Sequence, residues 1–195
     1  MNSERSVILS LISITLWWLM CSAAPLTESS GDPGFQQFIQ KNREFVSKIK
    51  RDVASVKERV RKEFKLGSDS ELLLVRHILG IEQADHSHCQ KDPCDMEGCF
   101  NQIQAGLHTY HSSLSHIGQI LSSYTDQVSG LQLDILNLSI NIQRQMEESG
   151  MAIVTYPQAE NLALQNQREI GSYLILGNLQ KFMEATLRAL RHCRS

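Results

Sequence analysis

Four stretches of this chain place apolar residues in steps of three and four and never in strand-like alternation, which restricts the fold to packed amphipathic helices. The first runs Phe35, Phe38, Ile39, Val46, Ile49, Val53, Val56, Val60, Phe64, with Lys41, Arg43, Lys48, Lys50, Arg51, Lys57 and Lys62 on its other face. Gly67 is expected to end it. The second runs from Met96 through Cys99, Phe100, Ile103, Leu107, Tyr110, Leu114 and Ile117 to Leu121, entered through Pro93 and capped by Asp95. The pattern lapses over 122–130 and resumes at Leu131, Ile135, Leu138, Ile142 and Met146 up to Gly150. After a loop holding Pro157, Leu164, Ile170, Leu174, Leu176, Leu179, Phe182, Met183, Leu187 and Leu190 carry the last helix to His192.

The connections constrain the topology as strongly as the helices do. A short link makes the second and third helices antiparallel neighbours, whereas the links before and after them can run the length of a bundle. The expected arrangement is therefore an all-α, up-up-down-down four-helix bundle. The first long link should hold a short extra helix, since Ser68 with Glu71 has the form of a capping box ahead of Leu72–Leu79, and Gly80 stops it.

Residues 1–23 read as a signal peptide: Arg5 precedes an apolar run to Met20, and small residues follow. The run is too short to span a bilayer comfortably. Cleavage before Ala24 leaves a polar, flexible leader over 24–34 and a helical domain over 35–195, with a secreted, extracellular destination. With 19 basic against 21 acidic residues and 42% hydrophobic residues, the chain is neither a nucleic-acid binder nor disordered. No later stretch calls for membrane insertion.

Cleavage removes Cys21 and leaves Cys89, Cys94, Cys99 and Cys193, an even number in an oxidising compartment. Four cysteines allow three pairings. The topology puts the start of the second helix and the end of the fourth at one pole, which favours Cys89 with Cys99 and Cys94 with Cys193. Oxidised, they cannot join His86 and His88 as zinc ligands. No nucleophile elbow, phosphate loop or paired metal histidines occur, so no catalytic residue, cofactor or metal is expected.

The third helix is apolar on two sides, because Leu133, Leu136 and Ile140 fall nearly opposite the Leu131–Met146 stripe. A second apolar face is either buried by the rest of the fold or offered to a partner. Asp134 and Asn137 flank it, and Asn137-Leu138-Ser139 is an N-glycosylation acceptor.

Several strings now resemble the granulocyte colony-stimulating factor family of the interleukin-6 superfamily, including its avian form, myelomonocytic growth factor. They are Phe64-Lys65-Leu66 followed by Glu71-Leu72, His77-Ile78-Leu79-Gly80-Ile81, the step from Cys89 to Cys99, Ile103 to Tyr110, Leu131-Gln132-Leu133-Asp134, Gln145-Met146-Glu147-Glu148, Leu179-Gln180-Lys181-Phe182 and Arg188-Ala189-Leu190-Arg191-His192. The resemblance covers 35–193 and implies a long-chain four-helix cytokine. The implied partner is a class I receptor ectodomain, the granulocyte colony-stimulating factor receptor, with two ligands joining two receptors. The implied outcome is growth, differentiation and survival of granulocyte-lineage cells through Janus kinases and STAT proteins.

Carried over residue by residue, the family's major receptor surface is Lys41, Glu44, Phe45, Ser47 and Lys48 on the first helix with Asp134 and Asn137 on the third, Asn137 replacing an acid. The minor surface is Glu71, with Asn166 where the family has an aromatic residue. The family's first disulfide is lost, since Arg61 and Gly67 stand at its positions. Competing readings are an interleukin-6-like ligand using a shared signal-transducing receptor and, further off, a secreted amphipathic lipid carrier; a secreted enzyme comes last.

Overall fold

The computed structural model describes residues 32–68, 70, 72, 75–76, 84–156 and 168–193. Among them are four long helices and no strand. The first, α1, spans Pro33–Glu63 and starts before the first apolar residue of its pattern. Asp32 is the reason: its carboxylate accepts from Gly34 N at 3.0 Å, and Pro33 follows where its missing N–H costs nothing. Pro33 and Gly34, expected to close a leader, thus form the first turn.

The other end of α1 also departs from expectation. The helix stops before Gly67, because Lys65 adopts φ 51° and the bonds Lys65 N–Lys62 O (3.4 Å) and Leu66 N–Arg61 O (3.0 Å) close a Schellman turn. Beyond it, Leu72 N–Ser68 O (3.2 Å) and Arg76 N–Leu72 O (3.0 Å) have helical spacing, and Leu72 is buried. Glu71 and Gly80, two markers of the expected short helix, lie outside the described residues.

A 3-10 turn, His88–Gln90, leads to α2, Met96–Ile120, whose N-cap is Asp95. Its carboxylate accepts from Gly98 N at 3.0 Å and lies 2.6 Å from His88 Nδ1 and 2.9 Å from Lys91 Nζ. His88 first, then Lys91, hold this carboxyl far below its ordinary range.

A second 3-10 turn, Ser122–Tyr124, joins α2 to α3, Thr125–Glu148. The sequence pattern started this helix at Leu131, reading Gly130 as a break. The helix instead runs through Gly130 from Thr125, because buried Tyr124 and Val128 extend the stepping of Leu131 and Ile135. The last helix, α4, spans Arg168–His192; Leu164 lies outside the described residues.

Side-chain pairs between helices fix their directions. Lys50 pairs with Glu184 and Lys57 lies over the Tyr173 ring, so α1 and α4 are antiparallel. Asn42 meets Asn141 and Lys48 meets Asp134, so α1 and α3 are antiparallel too. Gln104 meets Ser139 and Gln132 reaches His111 O, which opposes α2 to α3. Helices α1 and α2 therefore run together and α3 and α4 run back, the up-up-down-down bundle.

Residues inaccessible to water come from all four helices: Ile39, Val46, Ile49 and Val53; Phe100, Ile103, Leu107 and Leu114; Ile135, Leu138 and Ile142; Leu176, Leu179, Met183 and Leu190. Each buried side chain of this size contributes roughly 1.5–3 kcal/mol of transfer free energy. Gly106 admits the Phe182 ring so closely that a Cβ there would collide with it, and Tyr110 packs on the same ring at 5.1 Å.

Cys89 is bonded to Cys99 and Cys94 to Cys193, the pairing the topology favours. All four thiols are consumed. Among the described residues no group of His, Cys, Asp and Glu is placed to hold a metal ion, and no helix is long and apolar enough to cross a membrane.

Candidate functional site

Of the residues singled out on the first and third helices, Lys48 and Asp134 meet where α1 lies against α3. Lys48 Nζ stands 2.6 Å from Asp134 Oδ2 across 86 residues of sequence and 3.2 Å from Asp52 Oδ2 one turn along. The Asp134 carboxylate raises the Lys48 ammonium above its ordinary pKa. The Asp134 side chain is only 19% exposed, so its charge is largely spent on Lys48, while the lysine remains half open to solvent.

Lys41 and Glu44 are exposed further toward the start of α1, Glu44 accepting from Gln40 Nε2 at 2.6 Å. Ser47 donates to Arg43 O at 2.8 Å, a bond internal to the helix. Phe45 is half-buried and packs against the core, so its ring is a support for the face more than a free contact. Asn137 is exposed on α3, about 60° round the helix from Asp134.

The second apolar stripe of the third helix is open: Leu133, Leu136 and Ile140 are 57%, 41% and 45% exposed. Of the two expectations for it, burial by the fold is the one the structure removes. Sequence reasoning missed two parts of this face. Asp52 completes the Lys48 pair, and an i,i+4 Lys–Asp spacing could have marked it. Gly130, read from the sequence as a break, lines a groove of about 240 Å³ together with Lys48, Asp52, Arg59 and Asp134.

The family profile described as granulocyte colony-stimulating factor matches residues 46–191, which takes in α2 and α3 whole, α4 but for its last residue and the second half of α1. The chain belongs to the granulocyte colony-stimulating factor family. Its relatives include the myelomonocytic growth factor of Gallus gallus, 43% identical over 180 residues, with 90% of each chain covered. The granulocyte colony-stimulating factor of Felis catus is 36% identical, covering 94% of this chain and 97% of the relative. That of Homo sapiens is 34% identical, covering 94% and 93%. The family is one of cytokine growth factors and not of enzymes.

Within this family frame the minor-site residues, Glu71 and Asn166, lie outside the described residues. Near Arg61 and Gly67, where the resemblance implies a further disulfide, the turn is closed by the Arg61 O–Leu66 N hydrogen bond. A further feature escaped the sequence reading: the start of the last long connection is laid along α2. Asn101 Nδ2 donates to Ala152 O at 2.8 Å, Val154 N donates to Asn101 Oδ1 at 3.1 Å, and Tyr156 OH donates to Asn101 O at 2.5 Å.

Proposed function

We propose that the mature chain is a secreted cytokine that binds and dimerises a class I receptor, the granulocyte colony-stimulating factor receptor, two ligands with two receptors. Signalling then runs through Janus kinases and STAT proteins to growth, differentiation and survival of granulocyte-lineage cells. The major docking surface is the α1–α3 face, with Lys41, Glu44, Phe45, Ser47, Lys48, Asp134 and Asn137. The minor surface is Glu71 with Asn166.

One observation supports this reading: Lys48 and Asp134, drawn from two distant segments that match the family's receptor surface, are in contact.

The test is STAT phosphorylation in otherwise unresponsive cells carrying either this receptor or the shared interleukin-6-type receptor chains, treated with purified residues 24–195. The expected response is through the first receptor only. Response through the second alone transfers the protein to an interleukin-6-like role, and silence in both from folded protein returns attention to a lipid carrier.

A further inference from the structure

Asn137 stands among the exposed side chains of α3. Leu133 and Ile140 lie one turn before and one turn after it, and Leu136 completes the stripe. In the same triplet Leu138 is inaccessible to water, and Ser139 is tied to α2: its hydroxyl donates to Gln104 Oε1 at 2.5 Å, and Gln104 Nε2 donates to Ser139 O at 2.7 Å. Gln104 is itself buried. The acceptor amide of Asn137-Leu138-Ser139 is thus open, while the hydroxyl that an N-glycosylation site must present is held between two helices.

We propose that Asn137 carries an N-linked glycan, attached before α3 docks on α2, and that the glycan lies over the Leu133–Leu136–Ile140 stripe. The amide Nδ2 bonds to C1 of the first sugar of a lipid-diphosphate-linked oligosaccharide. The C1–O bond to phosphate breaks, the lipid diphosphate leaves with the bonding pair, and the nitrogen loses one proton. The timing follows from Ser139, since once its hydroxyl is bonded to Gln104 the folded helix no longer offers the triplet. The proposal rests on the secretory part of the function above and not on the identity of the receptor. With the glycan in place Asn137 drops out of the docking surface proposed above, which then shifts toward α1, with Lys41, Glu44 and Lys48 open to a receptor.

The full chain is expressed in animal cells and collected from the medium, and its intact mass is taken before and after peptide-N-glycosidase digestion. Most of the secreted chain should lose mass to the bare polypeptide, with Asn137 converted to Asp, and Asn137→Gln should remove the glycan. A secreted chain whose Asn137 peptide is unmodified overturns the proposal. A chain retained inside the cell without entering the secretory route overturns the secretory reading, and the proposal falls with it.

Two further measurements separate the parts. In a microsomal translation, Ser139→Thr should keep the glycan, and chain already folded and oxidised should be refused while reduced, unfolded chain is accepted; equal acceptance overturns the timing. Removing the glycan from folded protein should raise hydrophobic-dye fluorescence severalfold, and Leu133→Ser with Ile140→Ser should cancel the rise. Unchanged fluorescence overturns the covering role.

Discussion

The two disulfides close loops of very different length, which gives a quantitative test of what each contributes. Cys94–Cys193 has a separation of 99 residues and Cys89–Cys99 one of 10. If a cross-link stabilises by restricting the unfolded chain, these separations correspond to about 4.7 and about 2.7 kcal/mol at 25 °C. Replacing each pair by alanines should reproduce that order. Cys89, Cys99 and Cys193 are buried and Cys94 partly so, so both replacements add a packing loss of about 1 kcal/mol and the order is kept. The assay is urea unfolding followed by far-ultraviolet circular dichroism. The Cys94→Ala/Cys193→Ala chain should also show a steeper denaturant slope, because its unfolded state exposes more surface once the long loop is released. A smaller loss from the long-loop pair than from the short-loop pair, or a loss under about 2 kcal/mol with an unchanged slope, would refute the chain-entropy reasoning. The loops overlap over residues 94–99, so breaking both should not equal the sum.

Glu44→Ala should weaken receptor binding at least several-fold while circular dichroism stays unchanged, because Glu44 bonds only within its own helix; unaltered affinity by surface plasmon resonance would move the docking face elsewhere. Burial holds His86 below its ordinary pKa, so the unfolded chain takes up this proton first. Stability from this group is therefore full above about pH 6.5 and declines as the pH falls toward the folded value. His86→Phe, whose ring can keep the 4.9 Å contact with Phe182, should flatten that part of the stability–pH curve, and an unchanged slope in thermal melts across pH 5 to 7 would count against it. Gly106→Ala should destabilise by about 1–3 kcal/mol despite the better helix propensity of alanine, because the new Cβ meets the Phe182 ring; a raised melting temperature would show that the ring can move aside.

What the sequence disclosed about the fold followed from how each feature is encoded. Apolar stepping is a local signal, so the four helices and their faces could be read, and the loop lengths carried that reading to the up-up-down-down order. Helix ends were less legible, because each is decided by a few polar groups. Asp32 and Pro33 start α1 inside a segment that composition alone marks as leader, and Lys65 takes a left-handed conformation for which a reader looks to glycine. Gly130 misled in the opposite sense, since a glycine well inside a helix costs only about 1 kcal/mol and flanking packing by Val128 and Leu131 outweighs it.

The proposed docking face was legible in its composition but not in its pairings. Nothing local to Lys48 announces Asp134 as its partner, because the contact depends on how α1 and α3 lie against one another. The open Leu133, Leu136 and Ile140 stripe was visible as a second apolar side, yet only the folded chain decides between buried and exposed. The ties that Asn101 makes to Ala152 and Val154 have no periodic signature, and a loop held by a single asparagine reads as any other loop.

Both covalent cross-links lie at the end of the bundle where α1 and α2 begin and α3 and α4 finish. The opposite end is held by backbone turns at Lys65 and at Ser122–Tyr124. Opening therefore has a direction: amides near Glu63, Ile120 and Thr125 can exchange by local fraying, while those near Cys99 and Leu190 exchange only when the domain comes apart. Protection should decline toward the C-terminus in α1 and α2 and toward the N-terminus in α3 and α4. A protease that nicks the Ser122–Tyr124 turn would leave two half-molecules still joined through Cys94 and Cys193, able to close again on the same core.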